Sequence, residues 1–182
     1  MAPAVRPPPR VALIGFMGCG KTTVGRLLAA RLGYAFLDLD QWLEHRQGKS
    51  IRQIFQSEGE EGFRDLESSA LREHSSRHQV VIAAGGGAPM REANRSFFRQ
   101  ACTFYLEISF EDFLRRTAAS PDRPLRGRPA EELARLFENR LPVYRELGET
   151  VSSEQRAPAQ VAEEILEKLW ARGRGGLNRS GG

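Results

Sequence analysis

Short apolar runs alternate with helix-period segments along most of the chain. The runs at 11–14, 34–38, 80–83 and 103–107 are too short for helices and rich in β-branched and aromatic residues, so they read as strands. A weaker strand falls near Thr150. Between them, residues 21–32 place Val24, Leu27, Leu28 and Leu32 on one face of a helix. Further helices are expected at about 41–47, 51–56, 60–77, 91–100, 110–117 and 131–147. A final helix carries Val161, Ile165, Leu166 and Leu169 on one face, with Pro158 suited to its first turn. Strands separated by helices predict an α/β fold: one domain of three layers, with a central five-stranded parallel sheet covered on both sides. In such sheets ligands bind beyond the carboxyl ends of the strands. The domain is expected to span 11–171, between flexible tails at 1–10 and 172–182. No internal repeat or second domain is evident.

Composition narrows the classes. The chain has 182 residues, 40% apolar and 27% charged, as expected of a soluble globular protein. No apolar run approaches the roughly 18 residues needed to span a bilayer, and the proline-rich start lacks a signal peptide's apolar centre. Of the 27 basic residues only Lys21, Lys49 and Lys168 are lysines, and the arginine fork suits carboxylate and phosphate oxygens. The charges are mixed in sign rather than clustered among aromatics, which speaks against nucleic acid. The two cysteines, Cys19 and Cys102, suggest a reducing, cytoplasmic setting, with Cys19 simply a small residue fitting a turn. His74 and His78 lack a metal-ligating partner at useful spacing and are assigned to the surface. Trp42 and Trp170 are assigned to packing.

Candidate chemistry begins after the first strand. Gly15-Phe-Met-Gly-Cys-Gly-Lys-Thr22 matches the phosphate-binding pattern G-x-x-x-x-G-K-[ST]. Its glycines let backbone N–H groups converge on phosphate oxygens, and the helix that follows adds its positive end. Gly15, Gly18, Cys19, Gly20, Lys21, Thr22 and Thr23 therefore form a nucleotide phosphate site. Lys21 would reach the β- and γ-phosphates, and the Thr22 hydroxyl would ligate Mg²⁺.

Asp38 and Asp40 end the second strand. Alternation along a strand would send both carboxylates to one side and Leu39 to the other. One, Asp38, would hold the metal through its waters, and Asp40 would orient or accept the proton of an attacking hydroxyl. The lesser alternative is that Asp40 merely caps a helix beginning at Gln41, and the two roles are compatible. Gly85, Gly86 and Gly87 follow the third strand and read either as a turn or as a place where a substrate approaches the backbone. The segment 118–129 carries Arg123, Arg126 and Arg128. It is either a solvated loop or a lid whose arginine neutralises charge on the transferring phosphoryl group.

The phosphate loop, Asp38-Leu-Asp40, Gly62-Phe-Arg-Asp-Leu-Glu67, Gly85-Gly-Gly87, Arg123-Pro-Leu125 and Arg140-Leu-Pro-Val-Tyr144 together resemble the ordered motifs of the shikimate kinases. The resemblance covers about 11–171, and Gly62-Phe-Arg64 with the triple glycine is its most specific part. It implies a nucleoside-monophosphate-kinase-like fold that moves the γ-phosphoryl group of ATP to the 3-hydroxyl of shikimate, with Mg²⁺. It implies that Arg64 and Arg140 clamp the shikimate carboxylate, and that Asp40 with Gly85, Gly86 and Gly87 holds the ring hydroxyls. Glu67 would brace Arg64, and Ile51, Phe55 and Phe63 would lie under the ring. Arg123 would be the lid residue at the phosphates, while Arg116, Arg156 and Pro158 would flank adenine. The substrate-binding helices would fall at about 40–77. Leu39, Ala84 and Arg126 depart from the common pattern without removing a proposed catalytic group, though Arg126 leaves open which lid arginine touches phosphate.

Alternatives remain at this point. A gluconate or nucleotide kinase of the same fold also fits a phosphate loop, and gluconate too has a carboxylate for two arginines. A GTP-dependent switch is disfavoured because the chain has neither an N-K-x-D nor a D-x-x-G element. An inactive homologue serving as a binding protein should have lost Lys21, Asp40 or Arg64. A monomer acting on small molecules, without a nucleic-acid or membrane partner, is the expected state.

Overall fold

A computed structural model describes residues 8–118 and 129–175. The lid segment around Arg123, Arg126 and Arg128 lies outside the described residues. Five strands, β1 (Arg10–Ile14), β2 (Ala35–Asp38), β3 (Val80–Ala83), β4 (Cys102–Glu107) and β5 (Glu149–Ser152), form one sheet. Their order is β2-β3-β1-β4-β5, and every neighbouring pair is parallel. The helices are α1 (Lys21–Leu32), α2 (Leu39–Gln47), α3 (Ile51–Glu73), α4 (Glu92–Gln100), α5 (Phe110–Thr117), α6 (Ala130–Leu147) and α7 (Pro158–Gly175). A 3₁₀ turn at Ala88–Met90 follows the triple glycine.

The central strand β1 is buried at every position, as a parallel strand covered on both faces must be. β2 lies at the edge of the sheet and is correspondingly more open. Register does the positioning. Leu13 lies opposite Ala83, and Ala83 lies opposite Asp38. Three chain segments therefore leave neighbouring strands at one level: the phosphate loop, the triple glycine and the Asp38–Asp40 turn. Phe16 anchors the first of them in the core. Its ring meets Phe113 of α5 edge-on at 4.9 Å and Phe137 of α6 at 5.0 Å.

Several boundaries differ from expectation, each for a local reason. β1 begins at Arg10, which is buried rather than part of a tail, with its guanidinium over Phe97 at 4.7 Å. The helices expected at 51–56 and 60–77 are one run, broken at Gly59 (φ 72°, ψ −177°) and started by a capping box between Ser50 and Gln53. That run stops at Glu73, where the His74 N–H closes it on the Ala70 carbonyl. His74 is buried and meets Trp42 edge-on at 4.9 Å, so its assignment to the surface is corrected; His78 is exposed. Trp42 does pack, but Trp170 remains 37% exposed. α7 continues to Gly175, past the boundary expected at 171.

Candidate active site

The phosphate loop is shaped by left-handed backbone. Gly15, Gly18 and Gly20 have φ of 143°, 77° and 96°, values that side chains resist. A β-carbon at Gly15 would also sit 2.7 Å from the Leu106 carbonyl oxygen of β4. Lys21, the first residue of α1, donates to the carbonyls of Gly15 (2.8 Å) and Phe16 (3.0 Å). Cys19 is fully buried beneath the loop, in keeping with its reading as a turn residue. The Ser153 hydroxyl donates to the Cys19 carbonyl at 3.0 Å and ties the loop to the end of β5.

Asp38, not Asp40, caps α2. Its Oδ1 accepts from the N–H groups of Asp40 (3.1 Å) and Gln41 (3.3 Å), while its Oδ2 accepts from the Thr22 hydroxyl at 2.6 Å. The helix starts at Leu39, which is buried, so it is the turn of a helix rather than strand alternation that presents both aspartates to the site. The alternative of Asp40 as the cap is thus set aside, and its carboxylate is left to face the cavity. Burial, then the charge of Asp38, holds Asp40 above the usual carboxylate range, against the opposing pull of Lys21 and Arg64. A carboxylate raised in this way is a better base.

A cavity of about 810 Å³ joins the phosphate loop to this carboxylate and continues to Arg64, Arg140 and the triple glycine. A side chain on any of these glycines would crowd the groups of the site. A β-carbon at Gly85 would strike Glu67 and lie 2.9 Å from Asp40 Oδ1, and one at Gly87 would land on the Arg64 guanidinium. At Gly86 it would lie 3.3 Å from both Arg140 Nη1 and the Gly15 carbonyl oxygen, so this residue separates the two halves of the site. Arg64 pairs with the buried Glu67 on the next turn of α3 and lies 3.5 Å from Glu60. Arg140 is buried, with its guanidinium over Phe16 at 5.5 Å and its Nε without a hydrogen-bond partner among the described residues. Phe55 and Phe63 stack at 4.4 Å and, with Ile51, form an apolar wall of the same cavity.

Arg116, Arg156 and Pro158 are not part of this lining. Arg116 and Arg156 both reach the end of β5 instead. Arg116 donates to the carbonyls of Gly18 (3.4 Å) and Ser153 (2.5 Å), and pairs with the buried Asp112 at 2.7 Å. Arg156 donates to the Ser152 carbonyl at 3.0 Å, two residues before Pro158 opens α7. Arg123 lies outside the described residues.

Three contributors were not anticipated. Tyr144 donates to the Gly86 carbonyl at 2.5 Å, Ser153 ties down the phosphate loop, and Arg52 reaches the cavity from the first turn of α3. Only the tyrosine stood inside a recognised motif.

A family model for shikimate kinase matches residues 17–170 of this chain. The chain belongs to the shikimate kinase family. It is 46% identical over 164 residues to the shikimate kinase of Chromohalobacter salexigens, covering 88% of this chain and 91% of that one. It is 41% identical over 168 residues to that of Aquifex aeolicus, covering 92% and 99%. Among solved structures, a shikimate kinase from Acinetobacter baumannii in complex with shikimate superposes with a TM-score of 0.88 at 40% identity, covering 93% and 97%. A gluconokinase from Sinorhizobium meliloti shares the fold at 16% identity (TM-score 0.64) and no more than the fold. No helix among the described residues is long and apolar enough to cross a membrane.

Proposed function

We propose that this chain is a shikimate kinase, transferring the γ-phosphoryl group of ATP to the 3-hydroxyl of shikimate. The observation that carries the reading is the single cavity in which a phosphate loop, a raised aspartate and two arginines meet. Close relatives that act as shikimate kinases support the acceptor.

In this reading the backbone N–H groups of the phosphate loop and Lys21 hold the β- and γ-phosphates. The carbonyl partners of Lys21 keep its ammonium over the loop. Arg64 and Arg140 bind the acceptor carboxylate, a match of fork to carboxylate, while Ile51, Phe55 and Phe63 support the ring. Asp40 and the backbone at Gly85, Gly86 and Gly87 orient the ring hydroxyls. Asp40 accepts the proton of the attacking 3-hydroxyl as its oxygen closes on phosphorus. Arg116, Arg156 and Pro158 flank the base, and Arg123 serves the phosphates from the lid.

Thr22 and Asp38 fit Mg²⁺: a hydroxyl and a carboxylate 2.6 Å apart at the edge of the phosphate site are hard oxygen donors. Among the described residues no cluster of His, Cys, Asp and Glu forms an all-protein metal cage, in keeping with an ion held largely by phosphate and water. When bound, the ion supplies charge neutralisation on the phosphates. The enzyme is taken to work as a cytoplasmic monomer.

An acceptor panel tests the assignment. With ATP and Mg²⁺, ADP release should be rapid with shikimate and far slower with gluconate, AMP or no acceptor. Equal rates across the panel would overturn it.

A further inference from the structure

Glu67 has an unusual place in the acceptor half of the cavity. It is fully buried, and its Oε2 accepts from Arg64. Its Oε1 is also buried and has no donor among the described residues. An ionised carboxylate offers lone pairs for several donors, and burying one oxygen without a protein donor is costly. That bare oxygen faces the backbone at Gly85, on the same point as Asp40 Oδ1.

The charged and titratable groups around it come from three helices. Arg64 lies on the same helix, with Glu60 one turn earlier and exposed. Asp40 approaches from α2, and Arg140 and Tyr144 from α6. The triple glycine adds no charge. At the centre two guanidinium groups face two carboxylates, Glu67 fully buried and Asp40 half-buried, and these four charges balance; Lys21 and Glu44 lie beyond them, beside Asp40. Among the described residues the one hydrogen-bond donor to Glu67 is also the guanidinium assigned above to the acceptor carboxylate. An incoming carboxylate at Arg64 and Arg140 leaves these four groups with one negative charge in excess, beside a Glu67 carboxyl that is fully buried.

We propose that Glu67 takes up a proton when the acceptor carboxylate binds at Arg64, coupling acceptor affinity to pH through a positioning residue. The inference rests on the clamp reading of Arg64 and Arg140 given above. The proton comes from solvent and forms an O–H bond on the Glu67 carboxyl; no other bond changes. On Oε1 it supplies what that oxygen lacks, because a protonated carboxyl can donate toward Asp40. It also leaves Arg64 free to serve the acceptor rather than Glu67. Burial already pushes Glu67 up to about 7, with Asp40 adding to the rise and Arg64 opposing it, so a proton is available near neutral pH. The sign follows by linkage. Binding that takes up a proton weakens as pH rises from about 7 toward the higher value of the bound state.

Titration calorimetry of the full chain with shikimate alone, without nucleotide, provides the test. At about pH 8, the binding enthalpy is measured in buffers of small and large ionisation enthalpy. The wild type should show uptake of roughly half to one proton per site, and Glu67→Gln should bind with a heat independent of buffer. Buffer-independent heat in the wild type overturns the proposal while leaving shikimate as the acceptor. Unchanged uptake in Glu67→Gln assigns the proton elsewhere and overturns it too. No saturable binding of shikimate overturns the acceptor reading as well. The wild type alone gives a second check, free of any folding defect in the variant. Its Kd for shikimate should rise roughly tenfold between about pH 7 and 9. A flat profile contradicts the coupling, since a carboxylate that merely braced Arg64 would stay ionised throughout.

Discussion

Arg64 and Asp40 face one cavity, but different parts of the reaction fall to them. Arg64 meets a carboxylate whose charge is the same before and during phosphoryl transfer. Its loss should therefore appear as weaker binding rather than slower chemistry. Arg64→Ala is expected to raise KM for shikimate roughly 10–100-fold, the worth of a charge-assisted pair, with a smaller change in kcat. Asp40 acts on a proton that moves only as the new bond forms. Asp40→Asn should lower kcat by about 10²–10⁴-fold and leave ATP binding intact. Steady-state kinetics and a nucleotide-binding titration on the pair check the split. An unchanged KM in the first would remove Arg64 from the clamp. Lost ATP binding in the second would make Asp40 part of the metal or structural framework. Arg64 came from the family resemblance alone, whereas Asp40 was legible because a phosphate loop, an acidic pair and a triple glycine are local patterns with a local physical purpose. His74 was not, since its burial depends on Trp42 of another helix and on the helix ending one residue earlier. Neither was Phe16, a variable position of the loop pattern whose ring proves to be the wedge between α5 and α6.

At the scale of elements, the strands were found almost to the residue, because buried parallel strands are unbroken apolar runs. Helix starts were harder. Leu39 looks like the last inward residue of a strand, yet the Asp38 cap makes it the first residue of α2 and turns Asp40 into the cavity. Helix α6 was expected as an element, but pattern reading could not say what it reaches. It carries Arg140 to the acceptor half of the site, and one turn later Tyr144, buried and stacked on Tyr105 at 5.2 Å, donates to the Gly86 carbonyl. This hydrogen bond joins α6 to the loop after β3 across 58 positions of sequence, which no local signal could announce. Tyr144→Phe keeps the ring and leaves that carbonyl short of a donor. It should cost about 1–2 kcal/mol, a fall of a few degrees in Tm, and raise KM for shikimate as Gly86 loosens. Thermal unfolding and kinetics of the variant check this; an unchanged Tm and KM would mean the bond contributes neither stability nor position.

For the whole molecule, the decisive feature is register. Leu13, Ala83 and Asp38 lie side by side across three strands, so the segments that follow them open into one cavity. The strand order that brings β3 between β1 and β2 could be expected of the fold class, but the level at which each strand ends could not. The resemblance had put Glu67, Asp40 and two arginines at one site, but how closely they gather around the triple glycine became visible only in three dimensions. The same geometry makes a definite claim: phosphate held at one end of the cavity is passed to a hydroxyl held at the other. Phosphorus–proton correlation NMR of a reaction containing ATP, Mg²⁺ and shikimate tests it most directly. The account predicts one new phosphomonoester whose phosphorus couples to the proton on carbon 3 of the ring, formed in step with ADP. Inorganic phosphate as the main product, or a phosphoester on another hydroxyl, would contradict it.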